Sequence, residues 1–192
     1  PLYVQSAKLL ASLARSLGRD DDVQKFESTA RTATAAYQQK YSSTFDPGAT
    51  PESTQASLAF ALYSDLVPLD KQPAVLQSLV DNIQTKHQGK LSTGIMGTKF
   101  MLEVLSRSGR ADLAYDIVNR KDFPGWGWML ENGATTLWEH WELDRNTFSH
   151  SHPMFGSVSQ WFFNSLGGIQ PAPDAVGFDS IIIRPQTVPG LD

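Results

Sequence analysis

The 192-residue chain is 41% hydrophobic and 19% charged, with 16 Lys and Arg against 20 Asp and Glu and a formal net charge of −4. That balance argues against a basic nucleic-acid binder, and no apolar run approaches the ~20 residues of a membrane span. The lack of cysteine excludes disulfide scaffolds, thiolate metal sites and cysteine nucleophiles; it leaves the compartment open, with an extracellular or periplasmic one favoured.

Helical periodicity dominates the first two-thirds. Tyr3, Ala7, Leu10, Ala14 and Leu17 alternate at spacings of four and three, which places them on one face of a helix closed by Gly18. Asp20, Asp21 and Asp22 suit the N-terminus of a second helix, which carries Val23, Phe26, Ala30, Ala33 and Tyr37 on one face. After the Asp46-Pro47-Gly48 turn, residues 53–66 read as a third helix, and Asp70 caps a fourth that ends near Gly89. A fifth runs from Gly97 to Arg107 and is closed by Gly109, a sixth covers 111–119, and a last one runs from Met154 to Leu166. Short turns between consecutive helices predict antiparallel hairpins without the repetition of a tetratricopeptide or ankyrin array. The expected class is all-α, with a toroid of hairpins favoured over an open solenoid because the segment 123–152 reads as a long aromatic loop able to line a central pocket.

The chain opens at Pro1-Leu2-Tyr3 without an initiator methionine, a basic leader or a signal-like stretch. Near its end, Phe178 to Pro185 reads as a strand after the connector Gln170-Pro171-Ala172-Pro173. A lone strand leaves its backbone groups unpaired, so its sheet partners are expected outside these residues. The chain is therefore expected to be a piece of a larger protein, with residues 1–170 forming part of a helical domain and residues 171–192 a linker and the start of another.

Four of the five tryptophans fall between Trp126 and Trp141. The run from Thr135 to His140 alternates in character and predicts a short strand. It sets Glu139, with Glu142 close behind, among Trp138, His140 and Trp141. Indole faces pack against the apolar faces of sugar rings, and a partly desolvated carboxylate can be tuned for proton transfer, so the pattern suits carbohydrate chemistry. The competing reading makes the tryptophans core and the glutamates a solvated edge. His150 and His152 are two residues apart and no HExxH pair is present, so no metal site is predicted. Nor is there a nucleophile elbow, a Walker loop or a dinucleotide fingerprint, and Gly94-Ile95-Met96-Gly97-Thr98 reads as a helix-entry turn.

In order, Gly94-Ile95-Met96-Gly97-Thr98, Leu113-Ala114-Tyr115, Pro124-Gly125-Trp126-Gly127-Trp128, Gly133-Ala134-Thr135-Thr136-Leu137-Trp138-Glu139 and Ser151-His152-Pro153-Met154-Phe155-Gly156-Ser157 resemble the catalytic domain of α-L-rhamnosidases of glycoside hydrolase family 78. The resemblance runs from about Thr54 to the C-terminus; residues 1–50 are ordinary amphipathic helices and add little. It implies part of an (α/α)6 toroid followed by the first strand of a C-terminal β-sandwich. It also implies inverting hydrolysis of terminal α-L-rhamnosides by two carboxyl groups without a cofactor, the substrate being a rhamnose-containing glycoside or polysaccharide. By the motif Ala134 to Glu139 it places the general base on Glu139. His152 corresponds to a ligand of a sugar hydroxyl, and Trp126, Trp128 and Trp138 to pocket walls. The family's general acid lies on earlier helices, and no motif in residues 1–192 matches it. The resemblance thus implies that the missing upstream part of the same enzyme is this chain's partner, and that the chain alone is inactive. A non-catalytic carbohydrate-binding helical domain is the alternative, and a helical scaffold with purely structural tryptophans a third reading.

Overall fold

A computed structural model describes residues 1–46, 53–143 and 149–191. They form two compact units, one of Pro1–Ser53 with Ser57–Leu79 and one of Thr54–Ala56 with Val80–Asp192.

The first unit opens with a hairpin of α1 (Leu2–Ser16) and α2 (Asp20–Lys40). The turn between them forms because Gly18 adopts a left-handed φ of +65°, letting the Arg19 amide reach back to the Ala14 carbonyl at 2.9 Å. The three aspartates occupy the first turn of α2, where the helix dipole favours negative charge. The face that α1 buries differs from the predicted one. Val4, Ala7, Ala11 and Ala14 are buried, whereas Tyr3, Leu10 and Leu17 are exposed along with Leu9 and Leu13. The small side chains let the two helices approach closely, and the larger ones lie on the remaining arc. Val4, Ala7 and Ala30 pack with Leu66, and Tyr37 lies against them. Helix α3 (Gln55–Tyr63) is shorter than the predicted 53–66 because Asp65 turns left-handed and the Leu66 amide bonds back to Ala61. A short 3-10 turn (Leu69–Lys71) leads into α4 (Gln72–Asp81), which loosens into a π-turn over Asn82–Lys86.

The second unit is built on α5 (Gly97–Arg107) and α6 (Ala111–Asn119), a hairpin at the predicted boundaries. Gly109, at φ +76°, closes α5 with the Arg110 amide bonded to the Leu105 carbonyl at 2.8 Å. Met101, Leu102, Leu105, Ala114 and Ile117 make its core. Helix α8 (Ser157–Trp161), flanked by a 3-10 turn (Pro153–Gly156) and a π-turn (Phe162–Leu166), packs on α5, where the Trp161 indole N–H donates to Ser106 Oγ at 2.7 Å.

Three further expectations need correction. The stretch 123–152 is not a continuous loop, since it holds α7 (Trp126–Glu131). The residues from Thr135 to His140 do not form a regular strand; bends at Thr135-Thr136 and from Glu139 onward interrupt it. The C-terminal strand does not lack a partner here. β2 (Ile181–Ile183) pairs antiparallel with β1 (Ile169–Pro171), with Gln170 opposite Ile182.

Candidate active site

The site is an arm of two paired extended segments rising from an aromatic root. The Glu139 amide donates to the Ser149 carbonyl at 2.9 Å, and the His152 amide donates to the Leu137 carbonyl at 2.8 Å. Two steps along one segment match three along the other, so an extra residue is accommodated as in a β-bulge, which re-aims the side chains beyond it. The Thr136 hydroxyl secures the bulge by donating to the His150 carbonyl. Glu139 is half-buried, and its Oε2 accepts the Ser149 amide at 3.2 Å. His152 is half-buried as well, and its Nδ1 accepts the Met154 amide at 3.3 Å. The arm thus pairs the backbone segments that carry the predicted carboxylate and the predicted imidazole. Glu142, three residues beyond Glu139, is exposed.

The tryptophans divide by helix geometry. Trp126 and Trp128 stand two residues apart on α7, about 200° around the axis, so they face opposite ways. Trp126 is 8% exposed, and its indole N–H donates to the Phe155 carbonyl at 3.2 Å. Trp128 is half-buried and meets Phe123 edge-to-face at 5.7 Å; its Nε1 is buried without a hydrogen-bond partner among the described residues. Trp138 is 4% exposed and lies against the His150 ring at 5.4 Å. Trp141, which the sequence did not single out as a site residue, stacks on Phe155 at 3.7 Å with 29° between the planes and meets Trp126 edge-to-face at 5.0 Å. A shallow apolar hollow of about 250 Å³ lies between α7 and the start of the arm, lined by Trp126, Met129, Leu130 and residues 134–137.

Close backbone packing sets α7 in place. A Cβ on Gly127 would stand 2.3 Å from the Arg120 carbonyl oxygen and 2.9 Å from Lys121 Cα. Beside it, Asp122 takes two hydrogen bonds from Arg120 and an ion pair from Lys90, and these cations hold its carboxyl far below the usual range. Among the described residues, no group of three His, Asp or Glu side chains could hold a metal ion, and no helix is long and apolar enough to cross a membrane.

Comparison with known proteins gives the arm its context. The chain is 31% identical over 194 residues to an α-L-rhamnosidase of Streptomyces avermitilis, covering 96% of this chain and 18% of that protein. The backbone superimposes on the α-L-rhamnosidase structure from Dictyoglumus thermophilum with a TM-score of 0.87 and 34% identity, over 96% of this chain and 21% of that one. It superimposes on the Streptomyces avermitilis α-L-rhamnosidase, solved in complex with L-rhamnose, with a TM-score of 0.81 and 30% identity, over 96% of this chain and 18% of that one. The chain spans about a fifth of the length of these relatives. The expected class, helical hairpins belonging to an (α/α)6 toroid, is that of these rhamnosidases. The bacterial alpha-L-rhamnosidase 6 hairpin glycosidase domain matches residues 2–166, and the chain belongs to that glycosidase family.

Proposed function

We propose that this chain carries the general-base side of an inverting glycosidase that removes terminal α-L-rhamnose from a glycoside or polysaccharide. The observation that carries the reading is the pairing of the Glu139 and His152 segments, which sets a carboxylate and an imidazole on one arm in a chain of rhamnosidase ancestry. Glu139 takes the proton of a water molecule as that water attacks the anomeric carbon from the face opposite the leaving group. The C–O bond to the aglycone breaks as the C–O bond to water forms, and a second carboxylic acid protonates the departing oxygen. Inversion requires the two carboxyls to stand roughly 6.5–9.5 Å apart with the water between them. We assign the acid to residues outside these 192, so the isolated chain turns over no aryl α-L-rhamnoside.

His152 donates to a sugar hydroxyl through Nε2, since Nδ1 is occupied as an acceptor by Met154. Trp126 and Trp138, both nearly buried, back the pocket wall, and half-buried Trp128, on the other side of α7 from Trp126, offers its ring to a different part of the glycoside. Residues 171–192, which contain β2, begin a following β domain.

The test is E139Q in the enzyme containing this chain. Turnover of an aryl α-L-rhamnoside falls on the order of 10²–10⁴-fold while substrate still binds. Azide restores part of the rate, because a small anion attacks without a base. Near-normal turnover by E139Q overturns the assignment.

A further inference from the structure

We propose that Trp141 is a positioning residue for Glu139, rooting the catalytic arm in the turn that precedes α5. The proposal rests on the reading of Glu139 as the base.

Two hydrogen-bonded segments without further strands hold their shape poorly in water. In this arm Ser149, His150 and Ser151 are exposed, so backbone pairing alone leaves its position weakly fixed. A fixed point of the Glu139 segment lies two residues beyond it. The Trp141 indole N–H donates to the Thr93 carbonyl at 2.7 Å, a buried bond spanning 48 residues of chain. The same ring stacks on Phe155, three residues past His152. One side chain therefore ties together the Glu139 segment, the His152 segment and the residue 93 turn.

That turn is itself rigidly held. The Thr93 and Thr98 hydroxyls are 2.8 Å apart, and Thr98 Oγ1 also donates to the Gly94 carbonyl at 2.9 Å. Gln55, fully buried, accepts the Ser92 amide at 2.7 Å and donates to the Lys90 carbonyl at 3.0 Å. Gly97 permits this packing, since a Cβ there would meet the Ala56 Cβ at 2.8 Å. Gln55 thus holds this segment at Lys90 and Ser92, Thr98 holds it at Thr93 and Gly94, and Trp141 bonds to its Thr93 carbonyl.

W141F in the enzyme containing this chain keeps a ring on Phe155 and deletes the N–H donor. We expect kcat on an aryl α-L-rhamnoside to fall on the order of 10–100-fold with KM changed less than about threefold, because the base is displaced while sugar contacts persist. The deciding measurement is the double-mutant cycle with E139Q. If Trp141 acts through Glu139, W141F costs nothing further in the E139Q background, and the azide-rescued rate is the same with either residue at 141. An undiminished W141F loss in that background, or full activity of W141F, overturns the proposal while leaving the base assignment intact. Near-normal turnover by E139Q overturns the base assignment itself and the positioning role with it. Should W141F fail to fold, T98V, which loosens the Thr93 turn without touching the aromatic stack, is read in the same cycle with the same outcomes.

Discussion

His152 caps the turn that follows it: its Nδ1 accepts the Met154 amide at 3.3 Å, at the start of the 3-10 turn Pro153–Gly156. An imidazole accepting at Nδ1 carries its proton on Nε2 when neutral, so the cap fixes which nitrogen can donate outward. The residue therefore has a structural and a binding role on different atoms, and substitution can separate them. Asparagine is among the best capping residues but has no donor at the Nε2 position. H152N is expected to keep the melting temperature of the enzyme and lose about 1–3 kcal/mol of substrate affinity. H152A loses the same affinity and, in addition, about 0.5–2 kcal/mol of stability with the cap. Calorimetry beside ligand titration checks both. Unchanged affinity in H152N would show that capping is the whole role.

Glu142 supplies the contrast to Glu139. It shares the aromatic, acidic sequence context but is exposed, whereas Glu139 is half-buried and receives the Ser149 amide. A solvated carboxylate outside the arm has no hold on an attacking water. E142Q is expected to retain turnover within about threefold, far from the 10²–10⁴-fold loss of a general base. Rates of E139Q and E142Q measured side by side decide it, and equal losses would remove the distinction.

Where propensity and periodicity dominate, the fold was readable from the residues. The α5–α6 hairpin has the predicted bounds because a strong apolar period meets Gly109, which can take the left-handed turn. The exposed leucines of α1 were not readable, since an apolar face announces itself in sequence without saying which part of it a neighbour covers. Helix α7 was obscured by the two glycines flanking Trp126, which score against a helix. Gly127 is there for close approach to Arg120 and Lys121, and only the folded chain shows that neighbour. The Glu139 segment looked like a strand because it alternates, yet it pairs through a bulge, and alternation carries no information about an extra residue on the opposite side. Trp141 went unassigned for a related reason: its partner, the Thr93 carbonyl, is a backbone group 48 residues away.

Gly127 and Gly125 flank the same tryptophan but bear different constraints. The Arg120 oxygen and Lys121 Cα that a Gly127 Cβ would meet are backbone atoms, which cannot swing aside. At Gly125 the backbone is extended and the nearest atom to an added Cβ is 3.5 Å away, ordinary contact. G127A is expected to destabilise the enzyme by roughly 1–3 kcal/mol through overpacking, and G125A to be close to neutral. Since α7 carries Trp126, whose indole bonds to Phe155, the G127A loss should be accompanied by reduced turnover. Chemical denaturation of the two variants checks the ordering; a G125A loss as large as that of G127A would contradict it.

Glu103, on α5, gives a pH signature in stability. It is half-buried, and burial pushes its carboxyl above the ordinary value of 4.5, against the opposing pull of Lys99 and Arg107. Lys99 stands 3.8 Å from Oε1, too long to offset the desolvation fully. A carboxyl whose value is higher in the folded state holds more protons folded than unfolded between the two values, so stability falls as pH rises through that window. Above it, ionised Glu103 is a constant cost. E103Q removes that cost and is expected to raise the melting temperature at pH 7. The gain should shrink as pH is lowered towards 4.5, where protonated Glu103 and Gln are alike in charge. Melting temperatures of wild type and E103Q across pH 4.5–7.5 test this. A gain that grows towards acid, or a variant less stable at pH 7, would show that the Lys99 and Arg107 contacts outweigh burial.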